Sequence, residues 1–183
     1  MKHTFWTSEK LLSLSALLVS LLTLMVFIYQ TTLIRKQQYM AVYPHLKLAH
    51  AASGSLDYRF QLSNKGIGPA MIHEIVVSDS NGNVYENMGE FLLTRISIKD
   101  SIWPYNSDIY EGQLIQAGES IDLFGLMSVE RTDEYAYPPN TVEGSKKLRT
   151  AFNDGEFQLK IIYESIYGER WEIKWGELSP EKL

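Results

Sequence analysis

Asp79, Asn81, Asn83 and Glu90 carry side-chain oxygens at a spacing that could bind calcium. The first three occupy alternate positions and Glu90 lies eleven residues after Asp79, which matches positions 1, 3, 5 and 12 of a calcium loop. Position 6 of such a loop needs glycine for a sharp turn, but this chain has Val84 there. We therefore predict a hairpin whose Asp, Asn and Gly residues serve turn geometry, with calcium binding as the alternative.

The segment Gly66-Ile67-Gly68-Pro69 has the flexibility of a phosphate-binding loop but lacks its other parts. Such a loop directs converging backbone N–H groups at the ligand from a helix N-terminus, and proline has no N–H to offer. The third glycine and the Lys-Ser/Thr pair of the known loops are missing, and an apolar, β-branched run follows. The segment is predicted to be a tight corner between strands, with Asn64 bonding its own backbone two residues on. No cofactor is predicted.

The histidines and serines form no recognisable catalytic or metal-binding motif. His45 and His50 would face opposite sides of an extended strand, and no histidine pair has the i, i+4 spacing of a helical metal site. The chain has no cysteine, which excludes disulfides, thiolate zinc sites and cysteine nucleophiles. The residues around Ser120 lack the closing glycine of a nucleophile elbow. We predict no metal site and no enzyme activity, with a hydrolase site that assembles only on folding as a remaining alternative.

Five aromatic residues in two predicted loops form the candidate binding surface. Tyr and Trp supply a large contact area at small entropic cost, and loops carry binding more often than the scaffold beneath them. Two interpretations stay open: a surface for a protein or glycan partner, or a lid that folds back over the open end of the domain. The residues are Trp103, Tyr105 and Tyr110 in DSIWPYNSDIYEG, and Tyr135 and Tyr137 in DEYAYPPN.

Composition and charge limit the classes of partner. The chain of 183 residues is 45% hydrophobic, which is enough for one domain with a core. Its formal net charge is −5, with 17 basic and 22 acidic residues. Nothing forms the basic stripe that a phosphate backbone requires, so nucleic acid is not expected as a partner.

Residues 11–29, LLSLSALLVSLLTLMVFIY, contain no charge, proline or glycine. A helix of this length spans roughly 28 Å, close to the hydrocarbon thickness of a bilayer. The alternative is a cleaved signal peptide, whose apolar core is shorter, about 7–15 residues, and ends near a small-X-small site. Ala49-His50-Ala51 lies too far on to be that site. We predict a transmembrane helix over 11–29 in the lipid bilayer, preceded by a tail over 1–10 and followed by a juxtamembrane segment over 30–39.

The side of the membrane is not predicted. Lys2, Lys10 and the terminal amine precede the span, and Arg35, Lys36 and Lys47 follow it. Since lysine and arginine bias sets orientation, this near balance favours neither side.

Residues 40–183 show the period-two pattern of half-buried strands. Tyr58, Phe60 and Leu62 alternate with polar residues, and Asn81-Gly82 between β-rich runs is a strong hairpin signal. Seven or eight such strands predict a mainly β fold: an antiparallel immunoglobulin-like β-sandwich. The segments NMGEFLLTRIS and GSKKLRTAFN predict one or two short helices.

Three segments resemble a known group of sequences. They are Tyr43-Pro44-His45-Leu46, Asn64-Lys65-Gly66-Ile67-Gly68-Pro69-Ala70, and Tyr163-Glu164-Ser165-Ile166-Tyr167-Gly168-Glu169-Arg170-Trp171. Together they resemble uncharacterised bacterial proteins with one N-terminal membrane helix and an immunoglobulin-like β-sandwich domain. The resemblance implies a bacterial membrane protein, and it brings no catalytic residues.

We therefore expect a single-pass membrane protein, in the bacterial cytoplasmic membrane, whose β-sandwich is an interaction module. Its expected partner is another membrane or envelope protein. The alternatives are an accessory domain that binds a glycan or calcium and, less favoured, a hydrolase.

Overall fold

A computed structural model describes most of the chain: residues 7–52, 58–95, 104–126, 146, 149–150, 152 and 155–183. The predicted site residues Trp103, Tyr135 and Tyr137 lie outside these ranges. The chain divides into two compact units, Met1–Ala41 and Val42–Leu183.

The first unit contains one long apolar helix, α1 (Ser8–Ala41), of 34 residues. The predicted span 11–29 lies inside it, and the predicted juxtamembrane segment continues the same helix. Its most apolar 18-residue window has a mean hydropathy of 2.6, and within the described ranges α1 is the one helix long and apolar enough to cross a membrane. The hydroxyls of Ser13 and Thr23 donate to carbonyl oxygens one turn earlier, at 2.9 and 2.8 Å, which makes them compatible with an apolar surrounding.

The second unit contains two antiparallel sheets. Sheet A has the strand order β1 (Leu46–Ala51), β2 (Arg59–Asn64), β7 (Ser120–Leu126), β5 (Pro104–Asn106). Sheet B has the order β10 (Glu181–Lys182), β9 (Arg170–Lys174), β8 (Phe157–Glu164), β3 (Ala70–Asp79), β4 (Val84–Tyr85). A further strand, β6 (Leu114–Ile115), also pairs with β3. The prediction of a mainly β, sandwich-like fold is confirmed.

The inner faces of the sheets share one hydrophobic core. Phe60 of sheet A has its ring centroid 5.9 Å from that of Phe157 of sheet B and 4.9 Å from that of Phe152. The alternation predicted from sequence is regular in β8, where every second side chain is buried. Burying one such side chain contributes roughly 1.5–3 kcal/mol, so the alternating strands specify which face of each sheet turns inward.

The first predicted short helix is α2 (Met88–Arg95). Asn87 caps it, since the Asn87 Oδ1 accepts the backbone N–H of Glu90 at 2.8 Å. The Glu90 carboxylate reaches back to the backbone N–H of Glu86 at 2.6 Å. This exchange resembles a capping box and accounts for the place where β4 ends and α2 begins. In the second predicted helix, Lys146, Arg149, Thr150 and Phe152 are helical.

The turn at Ala117-Gly118 joins β6 and β7, and these two strands belong to different sheets. The helix α1 continues to Ala41, and β1 starts at Leu46, after Pro44. Proline cannot donate to a ladder, which is consistent with its place before the strand.

Candidate partner-binding site

Tyr105 is part of the outer face of sheet A. Its hydroxyl donates to the Asp122 Oδ2 at 2.9 Å. Its ring covers Gly125 so closely that a Cβ atom there would lie 2.5 Å from the Tyr105 Cζ. Asp122 also accepts the Gln61 amide at 2.5 Å and lies 3.7 Å from the Arg59 guanidinium. The Tyr105 side chain is therefore part of this polar cluster on sheet A, and its hydroxyl is hydrogen-bonded within the domain.

Tyr110 has a different environment. Its side chain is 64% exposed, and it lies in the connection between β5 and β6. The turn is held locally, because the Tyr110 N–H donates to the Gln113 Oε1 at 3.2 Å and the Gln113 N–H donates to the Tyr110 carbonyl at 3.1 Å. Of the predicted aromatic residues that the structure describes, Tyr110 is the one that projects into solvent beside a cavity.

That cavity, hereafter the β3 groove, has a volume of about 280 Å³ and opens between the two sheets. Leu123 of sheet A and Leu159 of sheet B both line it and are both buried. The groove therefore reaches the core from the edge of sheet B. Its apolar lining is Ile75, Val77, Met88, Ile109, Leu123 and Leu159, and its other lining residues are Glu74, Glu86, Asn87, Ser107, Asp108, Tyr110 and Glu111.

The groove occupies a gap in the pairing of β3. On one side β3 pairs with β8 along most of its length, but on the other side it has two short partners. β6 pairs with Ala70 and Met71, and β4 pairs with Val77 and Ser78. Next to β6, the Ile72 backbone still bonds to the 112–113 turn, at 2.8 and 2.9 Å. The residues between Ile72 and Val77 have no strand on this side in the described part of the chain.

At Ile75, the edge of β3 faces the groove and pairs with no strand of the described residues. Asp79 donates its backbone N–H to the Asn83 carbonyl at 3.0 Å, so its backbone groups face β4. Backbone groups alternate sides along an antiparallel strand, so those of Val77 and Ile75 face the same way. Continuing the register would place Asn87 opposite Ile75, but Asn87 caps α2 instead. No hydrogen bond from another described residue reaches the Ile75 backbone on that side.

Of the described residues that line the groove, four carry carboxylates and none is basic. Glu74 pairs with Lys160 at 2.9 Å, on the outer face of sheet B. Asp108 accepts the Asn106 amide at 3.1 Å. The carboxylates of Glu86 and Glu111 are exposed and accept no hydrogen bond or ion pair from the described residues. The groove therefore combines an apolar floor with a negative rim, on which Glu86 and Glu111 have no basic partner among the described residues.

The sequence prediction missed this groove. Glu86 and Glu111 are single charges in polar segments, where a solvated carboxylate is the ordinary interpretation. The Asn87 cap and the Tyr110–Gln113 turn are local signals that could be found, but the gap in β3 depends on pairings between distant residues.

The Asp79 region forms the predicted hairpin. The Asp79 Oδ1 accepts the backbone N–H groups of Asn81 and Asn83, both at 2.9 Å. Its Oδ2 accepts the Asn83 amide at 2.9 Å and the Tyr85 hydroxyl at 3.0 Å. These hydrogen bonds, that from the Asn83 side chain first, lower the pKa of Asp79 to about 2. Glu90, the fourth residue of the calcium spacing, caps α2.

The glycine corner packs against the chain just ahead of β1. A Cβ atom at Gly66 would lie 2.3 Å from the Tyr43 carbonyl oxygen, and one at Gly68 would lie 1.9 Å from that of Val42. The N–H groups of Ile67 and Gly68 both donate to the Tyr43 carbonyl, at 3.0 and 3.2 Å. These glycines allow a close backbone approach, as their predicted role as a corner requires.

Asn64 holds this corner in place. Its buried amide donates to the carbonyl oxygens of Gly68 and Ile115, at 2.8 and 3.1 Å. Its Oδ1 accepts the backbone N–H of Gly66, as predicted, at 3.0 Å, and that of His45 at 3.2 Å. One side chain therefore links β2 of sheet A to β6, which pairs with sheet B.

The three histidines that the structure describes, His45, His50 and His73, do not gather into a site. The His45 Nδ1 lies 3.2 Å from the Tyr43 hydroxyl, and the His50 Nδ1 lies 2.6 Å from the Tyr58 hydroxyl, whose pKa is raised by burial. No hydrogen bond joins His73 to a serine or carboxylate in the described ranges. Within those ranges, no group of three or more His, Asp or Glu side chains could hold a metal ion.

Comparison of the chain with protein-family models, curated proteins and solved structures finds no match.

Proposed function

We propose that this protein is a membrane-anchored interaction module that binds another membrane or envelope protein through the β3 groove. The observation that carries the proposal is the groove itself. It is an apolar cavity open to the core, beside the exposed Tyr110 and a strand edge that no described strand pairs with. Protein-binding sites combine a buried apolar centre with a polar rim and aromatic side chains, and strand edges are reused in peptide recognition.

The anchor in this proposal is α1. Its 34 residues would extend for about 51 Å, which exceeds the hydrocarbon thickness and leaves a polar continuation beyond the bilayer. The resemblance to bacterial proteins with one membrane helix supports the same assignment to a bacterial cytoplasmic membrane. The test is to wash membranes with alkaline carbonate, isolate the mature chain from the pellet and determine the residue at which it begins. Residues 1–41 should be retained in the pellet, whereas a mature chain that lacks the apolar run 11–29 would indicate a cleaved signal peptide.

We also propose an immunoglobulin-like topology for the second unit. The order β1-β2-β7-β5 corresponds to strands A-B-E-D of an immunoglobulin domain, and β9-β8-β3-β4 corresponds to G-F-C-C′. In this correspondence the β3 groove lies beside strand C, where the short C′-like strand β4 ends.

Photo-crosslinking in intact membranes tests the binding proposal. A photoreactive phenylalanine analogue at Tyr110 should give a discrete crosslinked product, because this side chain adjoins the groove. The same analogue at Tyr167, in the turn between β8 and β9, is the matched control, since it also replaces an exposed tyrosine. The proposal is wrong if the membrane-inserted protein gives the same products, or none, from both positions.

A further inference from the structure

We infer that the β3 groove takes an arginine or lysine side chain from a short extended segment of the partner protein. This inference rests on the proposed function and specifies the chemistry of the partner. It follows from three properties of the groove: an open strand edge, a small volume and a negative rim.

The open edge favours an extended backbone. The Ile75 N–H and C=O face the groove without a partner from the described residues, and a segment in β conformation could bond to both. β4 and β6 flank the gap on the same side of β3, so a long strand would collide with them. A loop tip or a chain end of a few residues fits this edge.

The volume favours one side chain of that segment. Small-molecule sites occupy about 300–1,000 Å³, whereas this groove has about 280 Å³. A cavity at the lower limit of that range is suited to a single large side chain. Its apolar lining, including Ile109 and Leu123, would contact the methylene groups of arginine or lysine, which pack on apolar surface while the charged end reaches the rim.

The rim selects a positive charge. Glu86, Asp108 and Glu111 line the groove, and none pairs with a basic residue in the part of the chain that the structure describes. Lys160 pairs with Glu74, the fourth carboxylate of the lining. Complementary charge at a rim accelerates association and excludes acidic partners.

Peptide binding to the full chain in nanodiscs tests the inference. The probe is the acetylated, amidated pentapeptide Thr-Val-Arg-Val-Thr, and its controls replace arginine by citrulline, a neutral analogue of the same shape, or by glutamate. We expect the arginine peptide to bind about tenfold more tightly than the citrulline peptide, since hydrogen bonds to charged groups are stronger than neutral ones. Equal affinity of the three peptides, or no binding at millimolar concentration, would overturn the inference.

A paired variant locates the interaction. The double variant Glu86→Gln/Glu111→Gln keeps the shape of two side chains whose carboxylates accept no hydrogen bond or ion pair from the described residues, so it should leave stability unchanged. We expect it to weaken binding of the arginine peptide by roughly fivefold and to reduce the salt dependence. Glu181→Gln, an exposed carboxylate on β10, is the control and should have no effect. If the double variant binds like the parent, the peptide binds elsewhere.

Two other occupants of the β3 groove would give different results in the peptide-binding experiment. Arginine amide alone binding as tightly as the pentapeptide would indicate a small amine site without a role for the strand edge, and would refute the inference. Failure of the peptides to bind until residues 127–145 are deleted would assign the groove to the chain's own segment, and would also refute it.

Failure of the inference is separable from failure of the proposed function. If Tyr110 crosslinks to a partner segment without lysine or arginine, the protein still binds through the groove and only the charge assignment is wrong. If Tyr110 gives no specific crosslink, both are wrong.

Discussion

The Asn64 side chain donates a 2.8 Å hydrogen bond to the Gly68 carbonyl oxygen, so the last residue of β2 holds the corner that follows it. The same side chain bonds to His45, Gly66 and Ile115. All four partners are backbone groups that would otherwise be difficult to satisfy away from water. Asn64 therefore acts as a buried polar link between elements distant in sequence.

Asn64→Ala should destabilise the protein by about 2–4 kcal/mol, because several backbone groups lose a partner at once. The measurement is urea unfolding of the full chain in nanodiscs, followed by tryptophan fluorescence. Asn81→Ala is the control: its side chain is exposed in the β3–β4 turn, so the change should stay within about 0.5 kcal/mol. Similar values for the two variants would contradict this role of Asn64.

Gly68→Ala should also destabilise the domain, since its Cβ would meet the Val42 backbone at 1.9 Å. The chain before β1 would have to move, and we expect a loss of at least about 2 kcal/mol. Gly176→Ala is the comparison, because Gly176 has a positive φ of 90° but open space around it. That variant should lose only about 1–2 kcal/mol from backbone strain. A neutral effect of Gly68→Ala would show that the corner is looser than described.

Local patterns were sufficient to predict the elements that depend on neighbouring residues. The Asn81-Gly82 turn, the α2 segment and the alternation at Phe60 and Leu62 in β2 are each specified within one short segment, and each forms as predicted. The long apolar run likewise predicted α1. The glycine corner was predicted as a turn, but its contact with Tyr43 joins segments far apart in the chain.

The groove could not be predicted in the same way. It exists because β4 ends at Tyr85, just before the Asn87 cap, and β6 pairs only with Ala70 and Met71, which leaves Ile75 without a strand partner among the described residues. The sequence does not show that Tyr105 packs on sheet A whereas Tyr110 is exposed. The difference is decided by Gly125, which leaves room for the Tyr105 ring on a neighbouring strand.

Asp79 should make the fold sensitive to acid. Its folded pKa is about 2, below the ordinary 3.8, so the ionised carboxylate stabilises the fold above about pH 4. This contribution is lost as the pH falls from about 4 toward 2, because protonation then favours the unfolded chain. The measurement is the free energy of unfolding across this range, with a carbon-13 titration of the Asp79 carboxyl group.

Asp79→Asn is the matched variant for this prediction. Its amide group would face the Asn83 amide and the Tyr85 hydroxyl, which are donors in the native hairpin. It should be less stable at neutral pH and lose less stability between pH 4 and 2 than the parent. An Asp79 carboxyl group that titrates near 4 would refute the assignment.

Tyr105 and Tyr110 should respond oppositely to substitution. Tyr105→Phe loses the hydrogen bond to Asp122 and should cost about 1–2 kcal/mol of stability, with partner crosslinking from position 110 unchanged. Tyr110→Ala should leave stability within about 0.5 kcal/mol but weaken binding of the arginine pentapeptide. Urea unfolding and peptide titration of both variants check this. Loss of binding in Tyr105→Phe alone would move the site to sheet A.

Hydrogen exchange at the Ile75 amide tests the central claim most directly, because the claim requires this strand edge to be open and then occupied. In the full chain in nanodiscs, the Ile75 N–H should exchange faster than that of Val77, which lies opposite β4. Adding the arginine pentapeptide should slow exchange at Ile75 and leave Val77 unchanged. An Ile75 amide that is already protected in the free chain, or that stays unprotected when the peptide is bound, would contradict the account.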